Sequence, residues 1–190
     1  MVRIIEIVII DILKDISEYI VSSTVFGILF IFIMEYEKNI GLFEVLRKIK
    51  RKFIKDKKNI YRLLLFIYIY FILDKTLLDR TFGAENNIEL ALTIPNILEI
   101  NNARDNIEAI ENLIFFIPYT FFLLQSSLLE KIKSIKDILI LSFFTSLVIE
   151  VLQYITTLGT FQLSDLLYNT LGGLVGYVIY KIINIKKGEV

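Results

Sequence analysis

Several stretches of this chain are apolar around their whole helical circumference and approach the roughly 20 residues needed to cross a bilayer. Residues 61–78 show it plainly, Y-R-L-L-L-F-I-Y-I-Y-F-I-L-D-K-T-L-L, with no face to offer to water. A soluble bundle keeps a polar stripe on its surface helices, so that architecture is excluded. Composition agrees: 55% of the 190 residues are hydrophobic and mean hydropathy is +0.64, above the range of ordinary soluble domains. The expected fold is all-α, a polytopic membrane helical bundle of about five transmembrane helices.

The five spans fall at about residues 16–34, 60–78, 112–128, 138–157 and 164–183. Residues 1–17 are apolar but charged every few positions, and they lack the basic start and small-residue cleavage site of a signal peptide. They read as an interfacial amphipathic helix leading into the first span. Three regions are expected: 1–59 with that helix, the first span and a basic loop; 60–183 as a four-span domain; and 184–190 as a tail.

Charge sets the orientation. Twenty-one basic and 21 acidic residues cancel overall, but they are not mixed evenly. Residues 47–58 read R-K-I-K-R-K-F-I-K-D-K-K, and residues 130–137 read E-K-I-K-S-I-K-D. A basic run can suit nucleic acid, but one lying between two spans reads as a cytoplasmic topogenic loop, and no nucleic-acid partner is expected. Lys181, Lys186 and Lys187 put the C-terminus on the same side. Residues 81–110 carry Glu85, Glu89, Glu99, Asp105 and Glu108 against Arg104, so this connection, with short surface helices interrupted by Pro95, belongs outside. The topology is N-terminus out, C-terminus in, in a multi-pass protein of the cell membrane whose first partner is the lipid bilayer.

Absent residues narrow the chemistry. There is no cysteine and no histidine, which removes thiol nucleophiles, Ser-His catalysis and His- or Cys-ligated metals. No phosphate-loop, nucleophile-elbow or zinc-protease motif occurs. Polar residues instead sit inside the apolar runs at helical spacing. Glu150, Gln153 and Tyr154 share one face of the fourth span, and Ser164, Asp165 and Asn169 lie on the fifth. Arg80 follows the outer end of the second span, and Asn112 opens the third. An intramembrane carboxylate is costly and marks a site by default. The candidate ligand-binding residues are therefore Arg80, Asn112, Glu150, Gln153, Asp165 and Asn169, at one depth in the outer leaflet.

Each has a plainer reading. Glu150 and Gln153 could equally be interhelical hydrogen-bonding groups, and Ser164 or Asp165 could cap a helix N-terminus. Arg80 is the nearby cation, expected to pair with Glu150 or Asp165 or to grip a ligand's phosphate with its fork. Lys75 is expected to snorkel outward. Gly172 and Gly176 read as close-packing positions.

The segments I-E-V-L-Q and S-D-L-L-Y-N-T-L-G-G-L-V-G-Y, with T-L-L-D-R at residues 76–80 and E-N-L-I-F-F-I-P at residues 111–118, resemble the signature of the VanZ-like family. These are small bacterial membrane proteins named for low-level resistance to the glycopeptide teicoplanin. The resemblance covers residues 60–180 and implies action at the outer face of the cytoplasmic membrane. It implies binding of an envelope lipid, a lipid-linked cell-wall precursor or a lipoglycopeptide, or an altered access of antibiotic to them. The alternative is a membrane enzyme acting on a lipid-linked or polysaccharide envelope substrate, with Glu150 and Asp165 as candidate catalytic carboxylates. Gln162 and Ser164 stand where relatives often carry further acids. With so few oxygen ligands no metal site is expected, and no cofactor.

The absence of cysteine makes the topology directly testable. Single cysteines at Glu89, Lys52, Lys133 and Thr160 should react with an impermeant thiol reagent from outside only at Glu89 and Thr160. Surface labelling at Lys52 would overturn this orientation.

Overall fold

A computed structural model of the chain describes residues 2–36, 40–78, 80, 83, 87–92, 103–132 and 134–186, the side chains of 2–5, 103–106 and 186 excepted. The described residues form α1 (Val2–Glu35), α2 (Leu42–Lys55), α3 (Lys58–Leu73), a π-helical turn (Asp74–Leu78), β1 (Ile88–Glu89), α4 (Ala103–Ser126), α5 (Ile135–Ile155), β2 (Phe161–Gln162) and α6 (Leu163–Lys186). Four helices are long and apolar enough to cross a membrane: α1, α4, α5 and α6. The 16 residues of α3 reach span length only with the five of the π turn that continues it. The expected surface helices around Pro95, and Lys133, lie outside the described residues.

Outward-facing side chains confirm the solvent. Val21, Ile33 and Ile155 are each about 70% exposed, a distribution that hydrocarbon tolerates and water does not. The core runs through the middle of the bundle, where Leu65, Phe71, Phe115, Phe116, Tyr119 and Ile149 pack together.

The tightest contact joins α4 and α6. A Cβ on Gly172 would strike the carbonyl oxygen of Leu113, and one on Gly176 would strike that of Ile117. Two glycines one turn apart therefore let two backbones approach each other, as small-xxx-small pairs do in lipid. Pro118 sits within α4 without ending the helix. Beside it, Tyr68 Oη donates to the carbonyl of Phe115 at 2.8 Å, which keeps a main-chain acceptor near the proline satisfied.

Several boundaries differ from the sequence reading. α1 is one continuous helix, with no break between an interfacial segment and the first span. Its polar stripe is used internally: Asp15 meets Lys75, and Ser22 Oγ donates to Asp74 at 2.8 Å. α4 starts at Ala103, nine residues before the expected position 112, because the charged residues 103–111 continue the same helix past the apolar part. α5 starts at Ile135 because Ser134 and Asp137 form a reciprocal capping box, each accepting the other's backbone N–H at 3.1 Å.

The basic run also takes a definite form. α2 carries Arg47, Lys48, Arg51, Lys52 and Lys55 on one side, and its Phe43 and Ile54 side chains are 85% and 76% exposed. Glu35 at the end of α1 accepts from Lys52 at 2.6 Å and lies 3.5 Å from Lys48, which ties the two helices together. Asp15 and Glu35 lie roughly 30 Å apart along the axis of α1 at 1.5 Å per residue. That matches the hydrocarbon thickness of a bilayer, so charge clusters bracket the apolar length of the helix.

The glycine contact predicts a selective loss of stability. Gly172→Val should destabilise the detergent-solubilised protein by about 1–3 kcal/mol, as overpacking does. Gly41→Ala, whose Cβ would meet nothing within 4 Å, should leave the thermal midpoint unchanged. Equal midpoints for both variants would contradict the close α4–α6 approach.

Candidate functional site

The π turn is the local departure that builds the site. One extra residue per turn changes the phase of the helix, and such turns frequently occur at functional sites. Here it turns Lys75 toward α1 and α4, and it leaves the carbonyl of Thr76 open to accept from Gln153 Nε2 at 2.9 Å. Thr76 Oγ1 donates back to the carbonyl of Ile72 at 2.7 Å, so the turn is held from two sides.

Beyond it the chain reaches Arg80, and a parallel bridge pairs Ile88 with Phe161 and Glu89 with Gln162. Phe161 N donates to the carbonyl of Asn87 at 2.9 Å, and Gly83 N to that of Thr157 at 3.1 Å. The loop between α5 and α6 is thereby laid against the connection that follows α3. Thr157 takes a left-handed φ of 54° to make this reversal.

Under this bridge lies a cavity of about 650 Å³, lined by Arg80, Asn112, Glu150, Gln153, Asp165 and Asn169 among others. All six residues singled out in the sequence thus border one space, from three helices and the segment after the π turn. Glu150 is 2% exposed, and its Oε2 accepts from the backbone N–H of Gln162 at 2.9 Å. Asn169 Nδ2 donates to Ser146 Oγ at 2.8 Å, both side chains being buried. Asn112 of α4 and Asp165 at the start of α6 line this same cavity.

Two expectations change here. α6 begins at Leu163, so Ser164 and Asp165 lie in its first turn and do not cap it. Ser164 Oγ donates to the carbonyl of Ala91 at 3.2 Å, and the Asp165 charge complements the positive end of the helix. Arg80 makes no ion pair within 4 Å of either acid among the described residues; its Nη1 donates to the carbonyl of Leu158 at 3.5 Å. Arg80 remains within electrostatic range of both Glu150 and Asp165. Gly159 leaves room for it, since a Cβ there would come within 2.5 Å of Nη1.

The close ion pairs are elsewhere in the same wall, and the sequence reading missed them. Lys75 does not snorkel: it pairs with Asp15 of α1 and with Glu111 of α4, the latter at 3.2 Å, and its ammonium lies 4.1 Å above the Phe115 ring. The signal was present, because Asp15, Lys75 and Glu111 each stand near the same end of a span. Only the phase set by the π turn aims the lysine inward. Among the described residues, no group of three or more acids is arranged to hold a metal ion.

These features define a multi-pass α-helical membrane protein with a polar, acid-rich cavity at one end of its bundle. A family model described as VanZ/LLP1 matches residues 58–184, and the chain belongs to that family. No curated protein and no solved structure matches it.

The Lys75 cluster gives a stability prediction. Lys75→Met strands two carboxylates and should cost about 3 kcal/mol, the lower end for breaking a buried pair because these side chains keep some exposure. Adding Asp15→Asn and Glu111→Gln should restore part of the loss. Denaturation of Lys75→Met in detergent at the wild-type midpoint would contradict this role.

Proposed function

We propose that this protein binds the polar head of an envelope amphiphile, a lipid-linked cell-wall precursor, at the outer face of the cytoplasmic membrane. The observation that carries the reading is the convergence of six intramembrane polar residues on one cavity of ligand size. Its walls hold five acids and two bases, and Lys75 is occupied by Asp15 and Glu111. Carboxylates with Asn112, Gln153 and Asn169 offer a dense set of acceptors and amides, which suits the hydroxyls of a sugar. Arg80, free of close carboxylates among the described residues, is the group that would take a phosphate. The basic α2 stands at the opposite end of the bundle, and the positive-inside rule then turns the cavity outward. Sequestering or masking such a precursor is how the protein would lower sensitivity to teicoplanin.

A second reading is favoured by one observation: Glu150 and Asp165 face the same cavity and interact electrostatically. They could act as acid and base on the bound head. The two readings part on the product, since turnover changes the mass of the recovered ligand and binding does not.

The test is thermal denaturation of the purified protein with a polyprenyl-diphosphate-linked disaccharide. At a hundredfold excess over Kd the ligand should stabilise the protein by about 2.7 kcal/mol. Asp165→Asn and Asn169→Ala should abolish the shift, and both should remove any teicoplanin resistance that the wild type confers on a susceptible cell. An equal shift with plain phosphatidylglycerol, or none with the disaccharide lipid, would overturn the reading. Glu150→Gln that binds normally but no longer changes the ligand's mass would establish the enzyme.

A further inference from the structure

A second cavity, of about 360 Å³ and almost wholly apolar, opens on the side of the bundle between α3 and α5. α3 packs on α1 and α4, and α5 packs on α6, so the cleft between α3 and α5 is left open along the bundle's flank. Tyr119 of α4 forms its floor, and its hydroxyl is hydrogen-bonded to Thr145 at 3.1 Å, which leaves no unsatisfied polar atom from that pair. The α5 wall extends over residues 144–152, about 12 Å along the helix axis. It begins at Leu152, next to Gln153, and ends near the middle of the span.

Continuity identifies what fills it. Ile72 and Ile149 line both this groove and the polar cavity above it. The two spaces therefore share a wall, polar at the end of the bundle and apolar toward mid-membrane, in the order of head and tail in any lipid. We infer that the groove holds the hydrocarbon chain of the same amphiphile whose head occupies the polar cavity. The ligand enters sideways from the bilayer between α3 and α5. This rests on the cavity reading above and adds a chain site and a route to it. A chain leaving lipid for this groove loses no hydrocarbon environment, while the head exchanges interfacial water for fixed carboxylates and amides.

The experiment uses the full chain in phospholipid nanodiscs and a single-chain glycosyl phospholipid carrying a diazirine in mid-chain. After irradiation, adducts should concentrate on Leu73, Val148 and Leu152. Val148 faces the bilayer and is 55% exposed, so Val148→Trp should fold normally, fill the groove and reduce these adducts by about tenfold. A water-soluble sugar phosphate matching the head should still bind Val148→Trp as it binds wild type. Adducts spread evenly over α1, α5 and α6, with the soluble head still bound, would mean annular lipid only; the groove assignment then fails and the cavity reading stands. Groove adducts insensitive to excess soluble head and to Asp165→Asn would sever chain from head and overturn the groove assignment, whereas loss of soluble-head binding in the wild type would overturn the cavity reading.

Discussion

A carboxylate or amide inside hydrocarbon must find a partner, and this requirement organises the molecule. Glu150, Gln153 and Asn169 are each no more than 5% exposed, and each is bonded to a group on another element: the Gln162 backbone, the Thr76 carbonyl and the Ser146 hydroxyl. An intramembrane carboxylate without such contacts would cost several kcal/mol or be neutralised. The apolar surfaces of the same helices can then face lipid freely. What distinguishes the two sides of each helix is thus the position of a few polar residues, since most of the remaining circumference is Ile, Leu, Val and Phe.

The same constraint explains why the charges collect at two levels. Asp15, Lys75 and Glu111 meet at one end of the apolar zone, and Glu35, Lys48 and Lys52 meet at the other. Each cluster binds α1 to elements that lie beyond it in the chain. Between them the interior is held by close backbone approach at Gly172 and Gly176 and by ring packing around Phe71 and Phe115. Burial of apolar side chains gives little drive within a bilayer, so tight contacts and polar partners carry the association of the helices.

This explains which parts were legible in the sequence. The apolar runs and the polar residues inside them could be read directly, because composition and helical spacing report both. Gly172 and Gly176 were also read correctly as packing positions, since their four-residue spacing has one common use in lipid. The π turn could not be read: D-K-T-L-L has no residue that demands an i→i+5 ladder, and the register it sets depends on Asp15 and Glu111 far away in the chain. Lys75 was misread for that reason. Arg80 was expected to contact an acid, but the loop after Thr157 brings the Leu158 carbonyl to it instead, and loop geometry is weakly encoded by T-L-G-T-F-Q-L. The helix ends shifted where charged turns, such as residues 103–111, extend a span beyond its apolar part.

The central claim is that the polar residues of α5 and α6 border a water-reached cavity and are not sealed in helix contacts. It is tested most directly by the reactivity of a single cysteine at Asn169 toward a charged, impermeant methanethiosulfonate reagent in oriented vesicles. The account predicts modification from the outer side, while a cysteine at Val175, on the lipid-facing side of the same helix, stays unmodified. An unreactive Asn169→Cys, or equal reactivity at both positions, would contradict it.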